Sequence, residues 1–121
     1  MKYDRYENVT AGSNFLTFEF TSVGPKGDVG KLIQFESTSL HEVYNLAFGN
    51  VNEDGSLDDL TINDNLDRNK ILATVVYTVY EFYKHHPAKW IFFSGSTPAR
   101  TRLYRMAITL NFDELQNDFE I

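Results

Sequence analysis

The chain contains no cysteine. Disulfides, thiolate metal sites and cysteine nucleophiles are excluded with it, and the absence suits the cytoplasm. No apolar run approaches the ~20 residues that a membrane-spanning helix needs. The opening stretch, MKYDRYENVTAGSN, is polar and carries Asp4 and Glu7, so it does not read as a secretory signal. A soluble cytoplasmic protein without membrane contacts is expected. Basic residues are the minority, 11 against 17 acidic ones, for a net charge of −6. That balance argues against broad, nonspecific nucleic-acid binding, which calls for a basic face, but not against a local basic patch. The phosphate loop G-x-x-x-x-G-K-[ST], the dinucleotide fingerprint G-x-G-x-x-G, the G-x-S-x-G elbow and S-x-x-K are all missing. No cofactor and no metal are expected.

What is present fits one domain over residues 1–121, long enough to bury a core without staples. Aromatics make up 15% of the chain, with ten Phe and seven Tyr, which points to an aromatic core. Residues 15–22 read FLTFEFTS, in which Leu16, Phe18 and Phe20 alternate with Thr17, Glu19 and Thr21. That period of two predicts a half-buried strand. Gly24-Pro25-Lys26-Gly27-Asp28 is a turn cluster, and residues 31–37 and 43–48 alternate again. The three form an antiparallel meander. Residues 50–67 are polar and acidic, with a short strand near Leu57 to Ile62. Asn50, Asn52, Asp54 and Gly55 fall at calcium-loop spacing, but Thr61 stands where the bidentate Glu belongs, so a solvated hairpin or loop is expected.

Residues 67–85 carry Ile71, Leu72, Val75, Val76, Val79, Phe82 and Tyr83 at three- and four-residue spacing, the stripe of a long helix. Asn65 or Asp67 can cap its start, and Pro87 stops it. Val76 and Val79 are expected to pack on Phe18 or Phe20 and on Ile91 or Phe92. His85 and His86 are neighbours and would point about 100° apart on a helix, which makes them poor chelators. Trp90 to Phe93, WIFF, is wholly apolar and reads as a strand buried on both faces. A second helix follows with Ala99, Leu103, Met106, Ala107 and Leu110 as its stripe, and Asn111 interrupts it. Another turn or short helix over 112–117 and a short terminal strand over 119–121 complete the order. The predicted class is α+β: a three-stranded meander, a long helix, a buried strand and a second helix in a βββαβα order on a mixed sheet, with a short tail.

The candidate site lies in residues 94–105. Ser94-Gly95-Ser96 breaks the apolar strand, Thr97 is placed to cap the second helix, and Pro98 stands at its first position. A glycine turn running into a helix N-terminus presents free N–H groups and a positive dipole end, which suits an anion. Arginines in the first turns oppose that dipole, so helix stability does not account for Arg100, Arg102 and Arg105. Gly95, Ser96, Thr97, Arg100, Arg102 and Tyr104 form the candidate anion site, with Lys89 as a further cation. The same turn is also an ordinary way to join a strand to a helix.

Four stretches carry a resemblance: FEFTSVGPKG at 18–27, YNLAFGN at 44–50, ILATVVYTV at 71–79 and GSTPARTRLYRMAI at 95–108. On them the chain resembles a family of small uncharacterised bacterial proteins, a domain of unknown function. The resemblance implies a single soluble domain and no catalytic residue. The element order also resembles the first part of a ribonuclease H-like fold, whose nucleases converge several carboxylates on two metal ions. Glu19 is the only acid on the first strand, and Ser94-Gly95-Ser96 stand where another would follow the buried strand.

Three functions compete on these grounds. One is a non-enzymatic binding module for a phosphate or carboxylate ligand. Another is an enzyme on a phosphate ester or nucleic acid with Ser94, Ser96 or Thr97 as nucleophile, for which neither His41, His85 nor His86 is an evident base. The third is a protein-interaction module, including a homodimer through an aromatic strand or the Tyr77/Tyr80 helix face. The sequence favours binding or interaction over catalysis and leaves the partner open.

Overall fold

Residues 4–58, 65–93 and 98–119 are described by a computed structural model of the chain. The alternating run becomes strand β2, Thr17–Gly24, with Phe18, Phe20 and Ser22 buried on one face and Glu19 and Thr21 exposed on the other. Burying a phenylalanine is worth roughly 1.5–3 kcal/mol, so the pattern selects the core face of the strand. Pro25 and Lys26 turn the chain into β3, Gly27–Ser37; proline supplies the fixed φ that the second position of a turn needs. Gly27 follows at φ 86°, a conformation that a side chain would strain.

β3 pairs antiparallel with β2 and with β4, Val43–Val51. Ile33 lies opposite both Phe18 and Phe48, and Phe35 lies opposite Leu46, so apolar rows cross the meander on one face. β1, Thr10–Ala11, adds to the far edge of β2. β5, Leu57–Asp58, pairs with Asn50 and Val51 at the end of β4. It coincides with the start of the short strand expected near Leu57; residues 59–64 lie outside the described residues. Between them the 52–56 turn closes on itself. The Asn52 N–H donates to the Ser56 carbonyl at 2.8 Å, and the Asp54 carboxylate accepts the Ser56 N–H at 3.0 Å and its hydroxyl at 2.5 Å. The stretch is a hairpin turn, and its central acid is engaged within it.

Helix α1, Arg68–His85, buries Ile71, Leu72, Val75, Val76, Val79 and Phe82, and Thr74 and Thr78 with them. The threonine hydroxyls are satisfied within the helix, by the Lys70 carbonyl at 2.8 Å and the Val75 carbonyl at 2.7 Å. The stripe is broad because it serves two sides. Ile71, Val75, Val79 and Phe82 join Phe18, Phe20, Ile33, Phe35, Leu46 and Phe48 in the main core. Leu72 and Val76 join Ala107 and Leu115 from helices α2, Pro98–Leu110, and α3, Phe112–Asp118. Val79 therefore packs as the sequence predicts, whereas Val76 faces the outer helices. α1 is a middle layer between the sheet and the α2–α3 pair. Asn111 separates those two helices, its side-chain amide donating to the Ala107 carbonyl at 2.9 Å. Phe119 is extended and packs on Tyr80 and Tyr83 rather than in a strand, while residues 120–121 lie outside the described residues.

β6, Trp90–Phe93, runs parallel to the start of β4, from Val43 opposite Trp90 to Leu46 opposite Phe93. The sheet is therefore mixed. β6 is not buried on both faces. Ile91 and Phe93 point into the core, but Trp90 is 60% and Phe92 61% exposed on the opposite face. All the described helices pack on the Ile91 side, and among the described residues none covers the other side of β6. A run of four apolar residues carries no alternation from which to foresee this. The sheet order also separates Glu19, exposed on β2, from β6 by β3 and β4. At ~4.8 Å per strand that is about 14 Å, too far for Glu19 to share a metal with groups at the end of β6.

Candidate functional site

Of the predicted site residues, Gly95, Ser96 and Thr97 lie outside the described residues, as do Ser94 and the side chain of Arg100. Arg102 and Arg105 are exposed on α2. Tyr104 faces inward at 3% exposure, with its ring 6.0 Å from that of Phe93. Two positions on a helix are about 200° apart, so Arg102 and Tyr104 take opposite sides. Lys89 pairs with Glu42 at 2.9 Å, and this contact holds the Glu42 carboxyl below its usual range. The histidines also have separate partners. His85 stacks on Phe15 at 3.6 Å, and His86 donates from Nε2 to the Asn14 carbonyl at 2.8 Å.

The packing of the three layers leaves a cavity of about 630 Å³ between α1, β6 and the outer helices. Val75, Val76 and Val79 of α1 form one wall, Ile91 and Phe93 of β6 a second, and Ala107, Ile108, Leu115 and Phe119 a third. Among the described residues few polar groups stand on the boundary, and Tyr83, Lys89 and Asp118 have partners. The Tyr83 hydroxyl donates to the Lys89 carbonyl at 2.7 Å, and burial lifts its phenol above the ordinary value of 10.0. The Tyr80 hydroxyl donates to Asp118 at 2.7 Å. A largely apolar cleft of this size with few polar groups is the common form of a small-molecule site. No periodicity or motif announces it, because it is a difference between packed volumes.

A second cluster forms where the β2–β3 turn meets the start of α1. Asn65, 3% exposed, accepts the Lys26 N–H at 2.6 Å and donates to the Gly27 carbonyl at 2.9 Å and to Ser22 Oγ at 3.1 Å. Ser22 Oγ donates to Asp67 at 2.5 Å, and the Tyr6 hydroxyl donates to the same carboxylate oxygen. A Cβ at Gly24 would lie 2.2 Å from the Asn65 carbonyl oxygen, so the glycine is what lets the two segments meet. Asp67 occupies the N-cap position of α1 but does not bond the helix N–H groups; its carboxylate is turned to Tyr6 and Ser22 instead. With Ser22 fully buried, the cluster is a fastening of the fold rather than an exposed nucleophile.

Burial first, and then the bond to Asp67, push the Tyr6 phenol above its ordinary value of 10.0. The fold therefore favours the neutral phenol. That contribution is complete below pH 10 and is lost as pH rises through the higher folded value. In urea titrations, wild type should be more stable than Tyr6→Phe near neutral pH, and the gap should shrink above pH ~10. A gap that stayed constant from pH 8 to pH 11 would show that the phenol does not titrate in this linkage.

Comparison with family models gives a match over residues 2–121 to a family of unknown function (DUF6934). The chain belongs to this family. No curated protein and no solved structure matches it. The DUF6934 match runs through every element above, and two of the stretches singled out in the sequence now have a structural account. Gly24-Pro25-Lys26-Gly27 is the turn held by Asn65, and Leu46 and Phe48 of NLAFG are core residues of β4. The GSTPARTRLYR stretch begins outside the described residues and continues into α2. Among the described residues no helix is long and apolar enough to cross a membrane.

Proposed function

We propose that this DUF6934 domain is a non-enzymatic binding module that takes an apolar small molecule into the cavity between α1, β6 and the outer helices. The observation that carries this reading is the partly open cavity itself, about 630 Å³ lined by Val75, Val79, Ile91, Phe93, Ala107 and Leu115. That volume falls within the range of ordinary ligand pockets, ~300–1,000 Å³. Two polar groups at its boundary, the Tyr83 hydroxyl and the Asp118 carboxylate, already have hydrogen-bond partners, which supports binding rather than chemistry. The anion reading of residues 94–105 keeps one specific support: Arg102 and Arg105 are exposed on α2, and its first turn carries no acid. A ligand with an apolar body and an anionic group would satisfy both features.

Trp90 is the only tryptophan and lies on β6, the strand that forms one wall of the cavity, so energy transfer from it reports occupancy. Titration with 1-anilinonaphthalene-8-sulfonate, an apolar body with one anionic group, should quench Trp90 by energy transfer in a saturable way. Ala107→Phe would place a ring in the cavity and should weaken uptake at least about tenfold while leaving the fold intact by circular dichroism. Equal uptake by wild type and Ala107→Phe, or none by wild type, would remove the cavity as the site.

A further inference from the structure

We infer that β6 is an interface between two copies of this chain, the two strands pairing antiparallel, edge to edge, about a two-fold axis at Ile91. The inference goes beyond the cavity and stands on separate observations.

β6 ends the sheet. β4 lies on one side of it, and among the described residues no strand pairs with the other. Successive residues of a strand direct their backbone groups to alternate sides. The Trp90 N–H donates to the Glu42 carbonyl at 2.9 Å, so the Trp90 and Phe92 groups serve the β4 side. Those of Ile91 and Phe93 face the open edge. Natural edges are shielded by charge, proline or a bulge, and the four residues of β6 offer none of these. The nearest cation, Lys89, is held by Glu42 at 2.9 Å.

The strand is complementary to itself. Set about a two-fold at Ile91, it exchanges both backbone bonds of Ile91 with those of Ile91 in the second copy. Trp90 then falls opposite Phe92 of the second copy, and Phe92 opposite its Trp90. These are non-hydrogen-bonded positions, where cross-strand side chains approach most closely. Both residues lie on the open face, at 60% and 61% exposure, so one contact made twice covers two large exposed aromatics. Slipping the register by one residue would set inward Ile91 against outward Phe92 and break the match of faces. This self-match selects a second copy over a strand from another protein. The contact is shorter than the ~800 Å² per partner of a standard interface, so the dimer is weak and concentration-dependent. Each copy carries a net charge of −6, and added salt should strengthen the association by screening that repulsion.

The test is light scattering on the full chain between ~1 µM and ~1 mM. The mass should rise from 14.0 kDa toward twice that value, and sooner in higher salt. Phe92→Lys alters an exposed side chain and should stay monomeric with an unchanged melting curve. The absence of cysteine allows a register test. On mild oxidation, a mixture of Trp90→Cys and Phe92→Cys chains should cross-link, and neither variant should do so alone. A chain that stays monomeric throughout, a dimer that Phe92→Lys leaves intact, or cross-linking of a single variant would each overturn the inference. The cavity reading is unaffected by these outcomes, because Ala107 and its probe titration are independent of the edge.

Discussion

Replacing Phe82 with alanine should lower the stability of the domain by about 3–5 kcal/mol, the range for removing a large aromatic from a closed core. Phe82 is fully buried and stacks on Phe35 with ring centres 4.4 Å apart. Tyr44 and Tyr83 meet it edge-on at 5.3 Å and 5.4 Å, and His86 stacks at 5.0 Å. It thus ties the last turn of α1 to β3 and β4, and no neighbouring side chain can refill the space without leaving its own contacts. Against the ~5–15 kcal/mol total of an ordinary domain this is a large share, and the melting temperature should fall by about 10–20 °C. Phe82→Leu restores aliphatic burial but not stacking, so it should lie between wild type and alanine. Urea unfolding followed by circular dichroism measures the series. A Phe82→Ala protein within about 1 kcal/mol of wild type would mean that this aromatic cluster does not hold the helix to the sheet.

The second large effect is expected at Asn65, where alanine should cost about 2–4 kcal/mol by leaving buried partners without hydrogen bonds. Its amide bridges the Lys26 N–H, the Gly27 carbonyl and Ser22 Oγ, and Ser22 in turn donates to Asp67. Asn65→Asp keeps the acceptor for the Lys26 N–H but loses the donor to the Gly27 carbonyl and adds a charge near Asp67. It should therefore fail to rescue. The local signature is faster amide exchange at Lys26, whose N–H bonds Asn65 Oδ1 at 2.6 Å. If Asn65→Ala and Asn65→Asp both unfolded with wild-type midpoints, the turn would be held by its backbone alone.

How much of this was legible in the sequence differs from place to place. The faces of β2 and β3 were legible because Phe18, Phe20, Ile33 and Phe35 recur with the period of a strand, and each is buried. The candidate site was less so. Tyr104 stood in the candidate set with the arginines of the same helix, but the fold turns it inward onto Phe93, while Arg102 lies exposed on α2. Capping of α1 by Asp67 was a sound local expectation, and it was displaced by Tyr6 and Ser22, distant in sequence, which compete for the same carboxylate.

By itself the sequence determined the longer elements and most of their core faces: the meander, the long α1 that stops before Pro87, and the break at Asn111, but not the short edge strand β1. These follow from spacing and turn chemistry within a few residues, where local propensity and burial agree. The tertiary structure alone decided which side of the WIFF strand stays open, that Asn65 fastens a turn about 40 residues earlier, and that three layers leave room between them. Each of these depends on which surfaces meet and how well their volumes match, and a one-dimensional pattern of residue types does not carry that information.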